Sequence, residues 1–99
     1  DIFGMLAAGG TIVTPREEKV RDPEEWVRLV EENKVTVWNS VPQFMEMLLL
    51  YMEINKVEQK RISSIRLVLL SGDKIENHLP ERIRNMIPGV RVICMGGAT

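Results

Sequence analysis

The sequence has a single cysteine, Cys94, which excludes an internal disulfide and a zinc site built from cysteines. Sparse cysteine suits a reducing, intracellular setting, so a cytoplasmic location is expected. Charge of one sign is missing too. Thirteen basic and 14 acidic residues leave a net charge of −1, giving no field to steer nucleic acid or acidic lipid. Neither is expected as a partner. The longest apolar run, residues 47–52, is far too short to span a bilayer. No basic segment precedes an apolar one at the start, so no signal peptide is read. Repeats, low-complexity tracts and internal linkers are absent. At 99 residues the chain fits one small domain, in which roughly two-thirds of the unfolded surface can be buried.

What is present is a set of three apolar runs, each ending in small and polar residues. Val35-Thr36-Val37-Trp38 leads into Asn39-Ser40-Val41-Pro42, Leu67-Val68-Leu69-Leu70 into Ser71-Gly72-Asp73, and Val90-Arg91-Val92-Ile93-Cys94 into Met95-Gly96-Gly97-Ala98-Thr99. Such runs, alternating with helical patterns, mark the parallel strands of an α/β sheet. Ligands of open α/β sheets bind outside the carboxyl ends of the strands, so these turns are where function is expected.

The intervening segments supply the helices. Residues 2–8 read as a short apolar helix stopped by Gly9-Gly10, which suggests a piece of something longer. Residues 11–14 form a short strand. Asp22 is an N-cap, Pro23 suits the first turn, and Glu25 completes a capping box for a helix that buries Trp26, Leu29 and Val30 and stops near Asn33. A second helix, opened by Ser40 or Pro42, covers about 43–56 and is apolar nearly all round, so it is expected to be covered on more than one side. A third spans about 80–87. The expected fold is α/β, with a four-stranded, mostly parallel sheet flanked by helices: strands near 11–14, 35–41, 66–71 and 91–95.

Several residues attract attention and have plainer explanations. The glycines lack both the dinucleotide and the P-loop spacing, so spacing alone makes them tight turns. Asp73 has no second acidic residue at a neighbouring strand end, and no metal site is expected. His78 is a solvated loop residue with no nucleophile near it in sequence. Cys94 is read as inert core, and the methionines as core filler. Trp26 and Trp38 are read as core anchors.

The succession DIFGMLAAGGTIV, VTVWNSVP, LVLLSGD and GGAT, over the whole chain, resembles the adenylation domains of nonribosomal peptide synthetases. These belong to the adenylate-forming enzymes, with acyl-CoA synthetases and luciferases. The resemblance places residues 1–99 in the N-terminal subdomain, between two family motifs. One carries the aspartate that grips the substrate ammonium and ends just before Asp1. The other, Asn-x-Tyr-Gly-Pro-Thr-Glu, opens with residues 94–99. It implies activation of an amino acid by ATP and Mg²⁺ and transfer to a carrier-domain thiol.

Residue by residue, the resemblance makes Asn39, Leu69, Ser71 and Met95 lining positions of the amino-acid pocket. Gly72, Asp73 and Lys74 look like the turn against the adenosine. Gly96 and Gly97 fall in the nucleotide motif, and Thr99 looks like its α-phosphate contact. Cys94 stands where the family usually has Asn, Gly96 where it has the Tyr that walls the adenine, and Ala98 where it has Pro. This version is similar to a subgroup from thiazoline-forming siderophore assembly lines, and the pocket set is similar to that of cysteine-activating members. No catalytic residue is assigned. The phosphate loop, the Mg²⁺ glutamate, the ribose-binding aspartate and the catalytic lysine are not among these residues, so the isolated chain is expected to be inactive. The alternatives are a self-contained flavodoxin-like or receiver-like module that binds a nucleotide or a partner, and an interaction domain that docks through its apolar 44–52 helix. The free fragment is expected to self-associate through the helix at 43–54, by Phe44, Leu48 and Tyr51.

Overall fold

The computed structural model describes residues 5–72 and 75–95. Five strands form one sheet: β1 (Met5–Ala8), β2 (Thr11–Val13), β3 (Val37–Ser40), β4 (Leu67–Ser71) and β5 (Arg91–Met95). Their order across the sheet is β2-β1-β3-β4-β5. Three helices, α1 (Pro23–Asn33), α2 (Pro42–Asn55) and α3 (Leu79–Met86), connect them, together with short 3-10 turns at Glu17–Lys19 and Gln59–Ile62. Strands β3, β4 and β5 are parallel, with α2 and α3 as the crossovers. The α/β class and the parallel block are as expected from the sequence.

Residues 5–13 differ from expectation. The described part of the anticipated helix, residues 5–8, is strand β1, and β2 is antiparallel to it rather than part of a parallel set. Gly9 and Gly10 have φ of 57° and 88°, and they join Ala8 to its partner Thr11 as a two-residue hairpin loop. Positive φ at both turn positions matches the twist of paired strands, which explains glycine there. A loop this short permits only antiparallel pairing. β1 is then held on both sides, by β2 and by β3, with Leu6 opposite Trp38. A short apolar run does not distinguish helix from strand by itself; the neighbours decide.

Helix α1 begins as its sequence dictates. Asp22 accepts a hydrogen bond from the Glu24 backbone N–H at 3.0 Å, and Pro23 occupies the first turn. Glu25 does not close a capping box. Its buried carboxylate accepts hydrogen bonds from Arg28 Nε at 3.2 Å and Nη2 at 2.8 Å. Those bonds, and one that Arg28 Nη1 donates to Glu32, raise the Arg28 pKa above its ordinary value. Trp26, Val27 and Val30 are buried, while Leu29 is half-buried at the edge of the core. Lys34 caps the helix in the left-handed conformation.

One core joins all three helices to one face of the sheet. Leu6, Trp38, Val68 and Leu70 supply the sheet side; Trp26, Val30, Met45, Leu48, Leu49, Met52, Leu79 and Ile83 are among those that supply the helix side. Alternation along the strands sends Met5, Ala7, Val37, Asn39, Leu67, Leu69 and Ser71 to the opposite face, where each is half-buried. Helix α2 buries Phe44 and Leu48, contrary to their expected place on an association surface, and Tyr51 is half-buried. Its outward stripe is Met47, Leu50 and Ile54, with Leu50 53% and Ile54 68% exposed. The sheet lies under the Phe44–Leu48 side, so the stripe one residue further round is the one left open. Cys94 is exposed rather than core, because the apolar layer above β5 reaches only to Val92 and β5 pairs on one side only. Met47 and Met95 are likewise surface methionines, not core filler.

Candidate functional site

The site is built at the carboxyl ends of the parallel strands. In the register of the sheet Asn39 lies opposite Leu69, Leu69 opposite Ile93, and Ser71 opposite Met95. Residues two apart on a strand share a face. Asn39, Leu69, Ser71 and Met95 therefore fall on the one sheet face that the helices leave open. They form a shelf of one amide and one hydroxyl among apolar groups. Asn39 is half-buried, and Met95, at the end of the edge strand β5, is exposed.

Two neighbours escaped the sequence analysis. Met5 pairs with Asn39 across β1, and Ile93 stands between the Leu69 and Met95 positions. The period-2 pattern ending at Met95 offered a signal for Ile93. Nothing in the sequence gave Met5, whose segment reads as a helix.

Gly72 follows Ser71 directly and has φ of 151°, a conformation that side chains rarely adopt. A Cβ there would stand 3.1 Å from Pro42 Cδ. Gly72 thus lets the turn after β4 lie tightly against the first residue of α2, bringing two of the three strand-end turns together. Of the other expected nucleotide-side residues, Asp73, Lys74, Gly96, Gly97 and Thr99 lie outside the described residues.

The turn after β3 is tied down from beneath. Trp38 Nε1 donates to Ser40 Oγ at 2.8 Å, and Ser40 Oγ donates to the Val41 carbonyl, also at 2.8 Å. Ser40 is 1% exposed. Trp38 in turn meets Trp26 edge-on at 5.8 Å, and Trp26 stacks on Phe44 at 5.3 Å. Arg21 lies 5.8 Å above the Phe44 ring. Both tryptophans are core anchors, and His78 is solvated in its loop.

Surface clefts occur elsewhere. One of about 390 Å³ lies among Glu31, Lys34, Lys60, Arg61, Ser63 and Ser64; another of about 260 Å³ lies among Glu53, Gln59, Arg82, Asn85 and Met86. Neither includes an expected site residue. Among the described residues no group of three or more His, Cys, Asp or Glu is placed to hold a metal. Among them, too, no helix is long and apolar enough to cross a membrane.

The fold is that of an α/β protein with a mixed sheet, whose helix-free face carries the candidate residues at the strand ends. The whole chain, residues 1–99, matches the family described as AMP-binding enzyme. The chain belongs to that family, and its likeness to adenylation domains of nonribosomal peptide synthetases extends over its full length. It is 49% identical over 100 residues to the anguibactin system regulator of Vibrio anguillarum, covering all of this chain and 9% of that protein. It is 40% identical over 99 residues to the phenyloxazoline synthase MbtB of Mycobacterium sp. (strain MCS), covering 8% of that protein. Among solved structures, the AMPPNP-bound nonribosomal peptide synthetase FmoA3 superposes with a TM-score of 0.79 at 37% identity, over 92% of this chain and 10% of that one. The chain thus spans a tenth or less of the length of these relatives.

Proposed function

We propose that this chain forms one wall of the amino-acid and nucleotide site of an adenylating ligase. In the parent enzyme an amino-acid carboxylate oxygen would bond to the α-phosphorus of ATP as the bond to pyrophosphate breaks. A carrier-domain thiol would then attack the acyl carbon and release AMP. Within that reaction the residues described here bind and orient. Asn39 and Ser71 offer hydrogen bonds to a polar side chain, Leu69, Ile93 and Met95 shape an apolar floor, and the Ser71-Gly72 turn approaches the nucleotide.

The observation that carries this reading is the register that sets Asn39, Leu69, Ser71 and Met95 on one face at the strand ends. That is where open α/β sheets bind ligands. The family match over all of residues 1–99 favours it over a free-standing flavodoxin-like module. For the substrate we infer a small amino acid with a polar or thiol side chain, cysteine first. One amide and one hydroxyl in a mostly apolar setting suit such a group. The name of the mycobacterial relative specifies an oxazoline, an oxygen-containing ring, so serine and threonine belong in the same test.

The test is ATP–pyrophosphate exchange by the intact parent enzyme with L-cysteine, L-serine, L-threonine, L-alanine and L-valine. Exchange strongest with cysteine is expected. No exchange with any amino acid would overturn the enzymatic reading. Exchange strongest with L-alanine or L-valine would overturn the substrate inference.

A further inference from the structure

We propose that Ser40 and Trp38 are positioning residues that fix Asn39 and so set amino-acid selectivity without touching the substrate. This rests on the reading that Asn39 lines the amino-acid pocket. Among the described residues the buried polar side chains are Glu25 and Ser40. Glu25 serves its own helix through Arg28. Ser40 lies at the other end of the molecule's logic, beside the site.

Trp38 and Ser40 flank Asn39 in β3, and both turn toward the core while Asn39 turns to the open face. The 2.8 Å bond from the indole N–H to Ser40 Oγ therefore bridges the two neighbours of Asn39 from the far side of the strand. It constrains the backbone from which the Asn39 side chain projects. The indole is itself held, edge-on against Trp26. The second Ser40 bond, to the Val41 carbonyl, extends the clamp into the turn. That carbonyl also accepts from the Phe44 N–H at 3.2 Å, at the start of α2. Pro42 comes next and abuts Gly72 after β4. One buried hydroxyl thus fixes both the direction of Asn39 and the spacing between two strand-end turns. Sites that must hold a hydrogen-bonding group in register depend on such support.

In the intact parent enzyme, exchange kinetics should be compared for wild type, Ser40→Ala, Ser40→Cys, Trp38→Phe and Asn39→Leu, using L-cysteine, L-serine, L-alanine and L-valine. Trp38→Phe keeps an aromatic ring in the core while removing the donor along with part of the indole's volume, so it carries the test if Ser40→Ala folds poorly. Loss of one buried hydrogen bond predicts about a ten-fold higher KM for the preferred amino acid in Ser40→Ala and Trp38→Phe. The KM for ATP and kcat should stay within about two-fold, because a contact shared by ground and transition state is what loosens. Ser40→Cys should fall between, and a variant combining Ser40→Ala with Trp38→Phe should cost no more than the worse single one. Preference among the four amino acids should narrow.

A lowered melting temperature with unchanged amino-acid KM and ranking would make the clamp merely structural and overturn the proposal. Failure of both Ser40→Ala and Trp38→Phe to fold would do the same. Equal rises in both KM values would also overturn it. Asn39→Leu separates the two levels. If it changes the ranking and Ser40→Ala does not, the clamp is wrong and the pocket stands. If Asn39→Leu changes nothing, the pocket reading fails and the clamp falls with it.

Discussion

Asn39 brings an amide to a mostly apolar shelf, between Met5 and Leu69 in the register of the sheet. Replacing it with leucine should leave a substrate polar group unpaired, at a cost of roughly 1–3 kcal/mol. Activation of the native amino acid should then weaken about ten- to hundred-fold, and apolar amino acids should gain relative to it. Exchange assays over an amino-acid panel decide, and an unchanged ranking would remove Asn39 from the pocket. Gly72 gives a different expectation. Its φ of 151° and the 3.1 Å approach of Pro42 Cδ leave no comfortable place for a methyl group. Gly72→Ala should destabilise by roughly 1–3 kcal/mol, seen as a lower melting temperature. Asn39 was legible in the sequence as a polar residue at the end of a β-rich run, and as a pocket candidate only through the resemblance to adenylation domains. The packing of Gly72 on Pro42 was not, because residues thirty apart meet only once β3 and β4 pair.

Among the elements, α1 was the most legible. Its start is written in adjacent residues, Asp22 and Pro23, and the Asp22 bond to the Glu24 N–H follows from them. Asp22→Ala should cost about 1 kcal/mol of stability. For a domain near this size that lowers the melting temperature by about 4–8 °C, which calorimetry can check; no shift would mean that packing alone holds the helix end. Helix α2 was legible as an element but not in its orientation, since apolar residues all round give no preferred face. The sheet chose Phe44, Met45, Leu48, Leu49 and Met52 for the inside. Leu48→Ala should therefore cost about 2–5 kcal/mol. Leu50→Glu, on the open stripe, should stay within about 0.5 kcal/mol of wild type. Chemical denaturation distinguishes the two, and a reversed order would place the wrong face against the sheet.

At the scale of the whole molecule, all the helix packing lies on one side of the sheet. The other side presents Met5, Val37, Leu67, Leu69, Ile93 and Met95 with only partial cover, and α2 adds Met47, Leu50 and Ile54. Exposed apolar patches above a few hundred Å² mark interaction or aggregation surfaces. The isolated 99-residue chain should therefore self-associate or bind a hydrophobic dye, as sedimentation and fluorescence would report. A monomer without dye binding at high concentration would refute this. The same isolated chain should show no amino-acid-dependent exchange, because it lacks the family's phosphate loop and lysine that stabilise the charged transition state; robust exchange would refute that expectation. By itself the sequence determined the α/β class, the parallel strands near Trp38, Leu69 and Ile93, and the start of α1. All of these rest on local pattern: β-branched runs, caps and turn residues. Only the tertiary structure decided that residues 5–8 are a strand, that β2 runs antiparallel, which side of α2 is buried, and that Ser40 closes a clamp beneath Asn39. The physical reason is common to all four. A strand exists only when a neighbour takes its backbone hydrogen bonds, and an apolar helix or a buried hydroxyl has no preferred direction until its partners arrive from elsewhere in the chain.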